Sequence, residues 1–147
     1  MNMITLASSY ELVAHPATAL LLGGLIAAIF RGRIASIALI LAPLLGLWHV
    51  HALEIGGVSI LNIFGYEILG VSVDQQAKVF GYLFHVAAFV AGIYSLHVRD
   101  PWQVSMALFY AATAVGVAFA GDMLSLFLWW EGLAITSVFQ IWGHKTK

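Results

Sequence analysis

The sequence predicts an all-α integral membrane protein with five transmembrane helices, its N-terminus outside and its C-terminus in the cytoplasm. Of the 147 residues, 62% are hydrophobic and 9% are charged, whereas soluble domains carry about 25% charged residues. The chain therefore has too few charges to cover a water-soluble domain. Five segments are apolar over about the 20 residues that a helix needs to cross the hydrocarbon. The basic residues between them fall mostly on one side.

The five predicted helices form one domain over residues 1–147. Arg31-Gly32-Arg33 is a tight, charged turn between the first two, and Pro101 separates the third from the fourth because proline cannot continue a helix. Asp122 follows Gly121 and is placed to cap the fifth helix. The predicted spans are 12–30, 34–50, 79–97, 103–120 and 123–142.

The outer loop over 51–78 is the only sizeable predicted segment outside the membrane. Residues 58–63 alternate loosely between apolar and polar side chains, and glycines stand at 56, 57, 65 and 70. This pattern favours a short hairpin or an extended loop on the outer face.

The charges of the short loops predict the orientation. Five basic residues fall on one side and Lys78 alone on the other, and the basic side is normally cytoplasmic. We therefore expect a bacterial inner (plasma) membrane protein whose basic side faces the cytoplasm. The five are Arg31, Arg33, Arg99, Lys145 and Lys147.

Composition excludes several classes of function. A net charge of −1 leaves no basic patch for nucleic acid. Without cysteine the chain has no disulfide, thiolate metal site or iron–sulfur cluster. We expect no catalytic residue, no metal and no cofactor.

Glu131 is the most informative residue, because it lies about 12 Å into the predicted fifth helix at about 1.5 Å per residue. A carboxylate at that depth costs several kcal/mol unless it is neutralised, paired or hydrated. Since its own helix face is apolar, any partner must come from another helix. We predict a proton or ion pathway through Glu131; the alternative is a protonated structural glutamate bonded to a nearby backbone. The face consists of Leu124, Phe127, Leu128, Ala134, Ile135, Val138 and Trp142.

Three further residues are weaker candidates for the same pathway. His85 lies at a similar depth in the predicted third helix, and imidazole relays protons near neutral pH; a structural histidine bonded to a carbonyl is equally compatible with the sequence. Thr136 and Ser137 would hydrate a path near Glu131, although hydroxyl groups in helices more often bond backbone carbonyls.

A family resemblance adds a specific expectation. Residues 119–137, FAGDMLSLFLWWEGLAITS, resemble the region around the fourth and fifth helices of antiporter-like subunits. These subunits occur in Mrp-type Na⁺/H⁺ antiporters, which the sequence resembles most, and in the membrane arm of respiratory complex I. Asp74, Phe80 and Tyr94-Ser95 also match the family's third-helix region.

The resemblance implies that Glu131 is the family's proton-path carboxylate, which interacts with a lysine on a later helix. On this resemblance the chain would correspond to the first third of a family subunit, as one part of a split subunit, a truncated product or a small accessory piece. No predicted span contains a lysine. We therefore expect partners among the other membrane subunits, including a chain that supplies the lysine-bearing helices. The transported ions would be H⁺ alone or H⁺ together with Na⁺ or K⁺.

Three functions follow as hypotheses. The first is a component of a multisubunit monovalent cation/proton antiporter or related proton-translocating complex, which is a transporter component and not an enzyme by itself. The second is a structural or assembly subunit without its own ion path. The third is a haem-binding electron carrier, with His85 and His49 as the available axial ligands.

Overall fold

The computed structural model describes residues 14–63, 65–98 and 100–143, which form five helices and one two-stranded hairpin. The first two helices precede the hairpin and the other three follow it. In chain order the elements are α1 (Thr18–Ile29), α2 (Arg33–Ala52), β1 (Val58–Ile63), β2 (Tyr66–Ser72), α3 (Gln75–Tyr94), α4 (Pro101–Ala118) and α5 (Met123–Gly143).

Three helices begin at an aspartate, because a carboxylate can accept from N–H groups that have no partner in the first turn. Asp74 accepts from Ala77 N at 2.6 Å before α3. Asp100 accepts from Trp102 N at 3.0 Å before α4, whose first residue is a proline. Asp122 accepts from the Ser125 N–H at the start of α5.

The first helix is shorter than predicted. The expected span 12–30 is replaced by α1, whose 12 residues begin at Thr18; residues 12 and 13 lie outside the described part of the chain. Pro16 explains the late start, since it follows His15 in a turn in which Thr18 N donates to His15 O at 2.9 Å. The third helix is shifted toward the N-terminus, because Asp74 starts it at Gln75 and it ends at Tyr94.

Three of the helices in the described ranges are long and apolar enough to cross a membrane. They are α2, α3 and α5, with 20 or 21 residues each. The helix α1 is apolar but has only 12 residues, about 18 Å at 1.5 Å per residue. The 18-residue helix α4, which carries Gln103, Ser105 and Thr113, is not among these three.

The helix α4 lies at the centre of the bundle and contacts the four other helices. Small residues allow the helices to approach closely, as expected of packing within a membrane. Gly23 of α1 abuts Ala42 of α2, and Gly92 of α3 lies against the backbone of Leu39 in α2. By contrast, α5 packs against α4 and, at its start, against β2, so it is an edge helix.

The predicted outer loop contains the β-hairpin. Its strands pair antiparallel from Val58–Ser72 to Ile63–Tyr66, with a register shift between Ser59 and Ile60. Gly65 takes a φ of +84° in the connecting turn, a conformation that glycine adopts without strain. The hairpin packs on the junction of α4 and α5, where Ser72 N donates to Phe119 O at 2.9 Å. It therefore lies over one end of the helices.

Candidate functional site around Glu131

Glu131 lies in the middle of α5, with its side chain exposed on the surface of the bundle. It is eight residues beyond Met123, about 12 Å along a helix of 21 residues. The large apolar side chains of the predicted face are 46% to 67% exposed, and Ala134 is exposed as well. Glu131 is thus the one charged residue on an uncovered apolar face. The large side chains are Leu124, Phe127, Leu128, Ile135, Val138 and Trp142.

The opposite side of α5 packs against α4. The Trp129 indole lies against Gly116, and Gly132 faces Thr113. Gln140 points into a cavity of about 520 Å³ that residues of α3 and α4 also line. At about 3.6 residues per turn, Glu131 is about 100° or more around the helix from each of these α5 residues. Its carboxylate is therefore directed away from the bundle.

The hydroxyl groups nearest to Glu131 along the helix bond to their own backbone. Thr136 Oγ1 donates to Gly132 O at 2.9 Å and lies 3.1 Å from Leu133 O. Ser137 Oγ donates to Ala134 O at 2.7 Å. This is the ordinary arrangement of hydroxyl groups in helices. A role for either residue in a hydrated path stays a prediction.

The structure does not bring His85 and Glu131 together. His85 is fully buried in α3, where its Nδ1 donates to Gly81 O at 2.7 Å. Its ring packs against Gly46 of α2, and Nε2 has no hydrogen-bond partner within the described residues. The helix α5 contacts α4 with the side opposite Glu131. The His85 imidazole and the Glu131 carboxylate therefore lie in different parts of the structure. His85 remains a candidate for a proton path by itself.

Asp122 does more than cap α5. One carboxylate oxygen accepts from Ser125 N at 2.7 Å, and the other accepts from Leu69 N of β2 at 2.6 Å. Ser125 Oγ in turn contacts Leu69 O at 3.0 Å, and Gly121 N donates to the same carbonyl at 3.1 Å. We call these four residues the hairpin clamp. It fixes the start of the helix that carries Glu131 to the hairpin.

The hydrogen bonds of the clamp favour the charged form of the carboxyl group. The Ser125 N–H, followed by the Leu69 N–H, holds the pKa of Asp122 below its usual value, although partial burial acts in the opposite direction. Asp122 is therefore an anion at neutral pH, and each of its carboxylate oxygens is able to accept one of the two N–H groups.

His15, which contacts the packed side of α5, is a polar residue that sequence reasoning missed. Its ring lies 4.6 Å from that of Trp129, centroid to centroid, and its Nδ1 accepts from Ala17 N at 3.1 Å. Its Nε2 is buried and has no hydrogen-bond partner in the part of the chain that the structure describes. The feature of the sequence that could have indicated His15 is its position before Pro16 inside an apolar stretch.

The other histidines in the described ranges do not assemble a metal site. His49 Nε2 lies 3.1 Å from Ala14 O, and His51 Nδ1 lies 3.0 Å from the Tyr82 hydroxyl. Within the described ranges, no group of three histidine, aspartate or glutamate side chains is placed to hold an ion.

Comparisons of the chain with models of protein families, with curated proteins and with solved structures find no match.

Proposed function

We propose that the chain is a component of a multisubunit monovalent cation/proton antiporter or a related proton-translocating complex. It would correspond to the first third of an antiporter-like subunit, with Glu131 as the group that exchanges protons. The observation that carries this proposal is the position of Glu131, in the middle of a long apolar helix and on an uncovered apolar face.

The energetic argument is that this carboxylate cannot face lipid as an anion. A charged side chain at the centre of a transmembrane helix costs about 2.5 to 3.5 kcal/mol on insertion scales. The exposed Leu128 and Ile135 flank it one turn away on either side, and its own helix supplies no counter-charge. Protonation or a basic group from another polypeptide would remove the cost, and alternation between the two is what proton transfer needs.

The proposal includes five crossings with the N-terminus outside, in the bacterial inner membrane. The hairpin lies at the α4–α5 junction, whereas Arg31 and Arg33 lie at the α1–α2 turn. Antiparallel succession of the helices puts these two features at opposite ends, which supports a basic cytoplasmic end and an outer hairpin. The shorter helix α4 would cross inside the bundle, where neighbouring helices shield its ends, and α1 would cross at the edge of the bundle against α2 and α4.

The test is Glu131→Gln in the assembled complex, measured in inverted membrane vesicles. Dissipation of a proton gradient on addition of Na⁺ or K⁺ reports antiport, and quantification of the purified complex reports assembly. We expect antiport to fall to background at normal complex yield, because an amide fills the same volume but exchanges no proton. Ile135→Gln is the matched control, since it places the same amide on the same face. Undiminished antiport by Glu131→Gln contradicts the proposal.

The second candidate is an assembly subunit without an ion path. It is favoured by the extent of the uncovered apolar face of α5, which a neighbouring subunit would bury. Under this reading Glu131→Gln lowers the yield of the complex and leaves transport per complex intact. The two measurements above therefore separate the candidates.

A further inference from the structure

A groove runs along the outside of the bundle between α1 and α2. It has a volume of about 510 Å³, within the range of about 300 to 1,000 Å³ typical of ligand sites. Gly23, Ala38 and Ala42 form its buried floor, where the two helices touch. Long aliphatic side chains stand along its open edges; they are Leu22, Ile26, Ile37, Leu41 and Leu45.

The groove is long enough to hold an extended hydrocarbon chain. It is lined from Ile34 in the first turn of α2 to Trp48 near its end, about 21 Å at about 1.5 Å per residue. One leaflet of a bilayer contributes about half of the 30 Å hydrocarbon thickness. A single acyl chain therefore fits along the groove within one leaflet.

The end of the groove at Ile34 adjoins a mostly apolar cavity whose lining includes an arginine. Ile37 lines both the groove and a second cavity of about 550 Å³, to which Arg33 and Ser36 also contribute. Arg31 and Arg33 are exposed and make no hydrogen bond or ion pair with the described residues. Gly32 precedes α2 with a φ of +69° and offers no side chain to cap it. Positive charge thus collects where the apolar groove ends.

Charge balance at this end favours an anion. The sequence places five basic residues in the segments at the ends of α1, α3 and α5, against Asp100 as the only acid. Asp100, whose carboxylate accepts from Trp102 N at 3.0 Å, offsets only one of these positive charges. Basic residues next to membrane-spanning helices attract anionic lipid headgroups by about 1 kcal/mol each.

We propose that the groove between α1 and α2 binds one acyl chain of an anionic phospholipid, whose phosphate is held by Arg31 and Arg33. The open edges of the groove carry long aliphatic side chains, which favour a lipid as the occupant. They disfavour a protein helix, because helices in membranes pack through small residues. The cavity beside α3 and α4, by contrast, is lined by alanines such as Ala87, Ala91 and Ala111. The inference uses the membrane placement of the proposed function but not its antiport activity.

The test is native mass spectrometry of the full chain in detergent, titrated with phosphatidylglycerol and with phosphatidylcholine of the same acyl composition. We expect one tightly bound phosphatidylglycerol and at least ten-fold weaker phosphatidylcholine. In Arg31→Gln/Arg33→Gln, phosphatidylglycerol affinity should fall about thirty-fold, equal to about 2 kcal/mol at 1.4 kcal/mol per factor of ten. Arg31→Lys/Arg33→Lys keeps the charge and should stay within about three-fold of wild type.

The acyl chain is tested separately by Leu41→Trp, which fills the groove, with Leu83→Trp as a control on an exposed α3 position. We expect only Leu41→Trp to lower phosphatidylglycerol binding. Equal affinity for the two lipids, or no effect of the glutamine variant, overturns the proposal. Full competition by inorganic phosphate, or equal losses in the two tryptophan variants, overturns it as well. Antiport plays no part in any readout, so failure here leaves the proposed role of Glu131 to its own test.

Discussion

The contact between Gly116 and Trp129 positions the helix that carries Glu131. A Cβ atom on residue 116 would lie 2.6 Å from Cε2 of the Trp129 indole and nearer still to two other ring atoms. The ring is rigid, and its other neighbours include the His15 imidazole at a centroid distance of 4.6 Å. We therefore expect Gly116→Ala to displace the indole and with it the adjoining turn of α5.

The magnitude follows from two opposing effects. Overpacking of a core costs about 1 to 3 kcal/mol, whereas replacing glycine by alanine within a helix stabilises it by about 1 kcal/mol. With Trp129 present, Gly116→Ala should lower the free energy of unfolding by about 0 to 2 kcal/mol. With Trp129→Ala the clash is gone, so the same change should raise it by about 1 kcal/mol. The coupling energy of this double-mutant cycle is thus about 1 to 3 kcal/mol.

Reversible unfolding in mixed micelles, followed by far-UV circular dichroism, measures all four variants of the cycle. Gly132→Ala is the control, since its Cβ would meet only Thr113, at 3.0 Å from the nearest atom, Cγ2. The effect of Gly132→Ala on the free energy of unfolding should depend little on Trp129. If Gly116→Ala has the same effect with and without Trp129, the two residues are not in contact and this account of how α5 is held is wrong.

Two other predictions concern the clamp and the buried histidine. The pKa of Asp122 is lowered by the Ser125 and Leu69 N–H groups, so its stabilising effect is present above the unfolded pKa of about 3.9 and is lost as pH falls through the lower folded value. The protection factor of the Leu69 amide, which is its intrinsic exchange rate divided by its observed rate at the same pH, should therefore fall at acidic pH in the wild-type chain and be low at every pH in Asp122→Asn; equal protection factors in both at neutral pH would contradict the clamp. Gly46→Ala should destabilise the bundle because its Cβ would overlap the His85 ring, by about 1 to 3 kcal/mol for overpacking before the gain in helix propensity. In the His85→Ala background, Gly46→Ala should no longer lower the free energy of unfolding. If it lowers it by the same amount with and without the ring, Gly46 and His85 are not in contact.

The helices could be predicted from the sequence because hydropathy and capping are local properties. The long apolar runs give α2, α3 and α5, and Asp122 marks the start of α5 within one residue. The short α1 was not predicted, since a window of apolar residues does not register the turn that Pro16 imposes. Whether all five helices cross a membrane, and in which direction, stays a prediction.

The contacts between helices could not be predicted, because periodicity gives the face of a residue but not the helix that covers it. The sequence predicts an apolar face around Glu131, and the structure has this face uncovered. The sequence did not reveal that Asp122 also binds the Leu69 N–H, 53 residues away along the chain. Nor could equal depth show that His85 turns toward Gly46 on α2.

The packing of α5 decides where a path through Glu131 can run. The helix is fixed at its start by the hairpin clamp and along one side by α4, while the face around Glu131 is uncovered. A carboxylate that pointed into the bundle could exchange protons with groups of the same chain. One that points outward on an edge helix must exchange them with water or a basic group held by another polypeptide. If the proposed function holds, the path through Glu131 would therefore lie at an interface between subunits, and a mutation that reshapes the uncovered face would impair transport before it impairs folding.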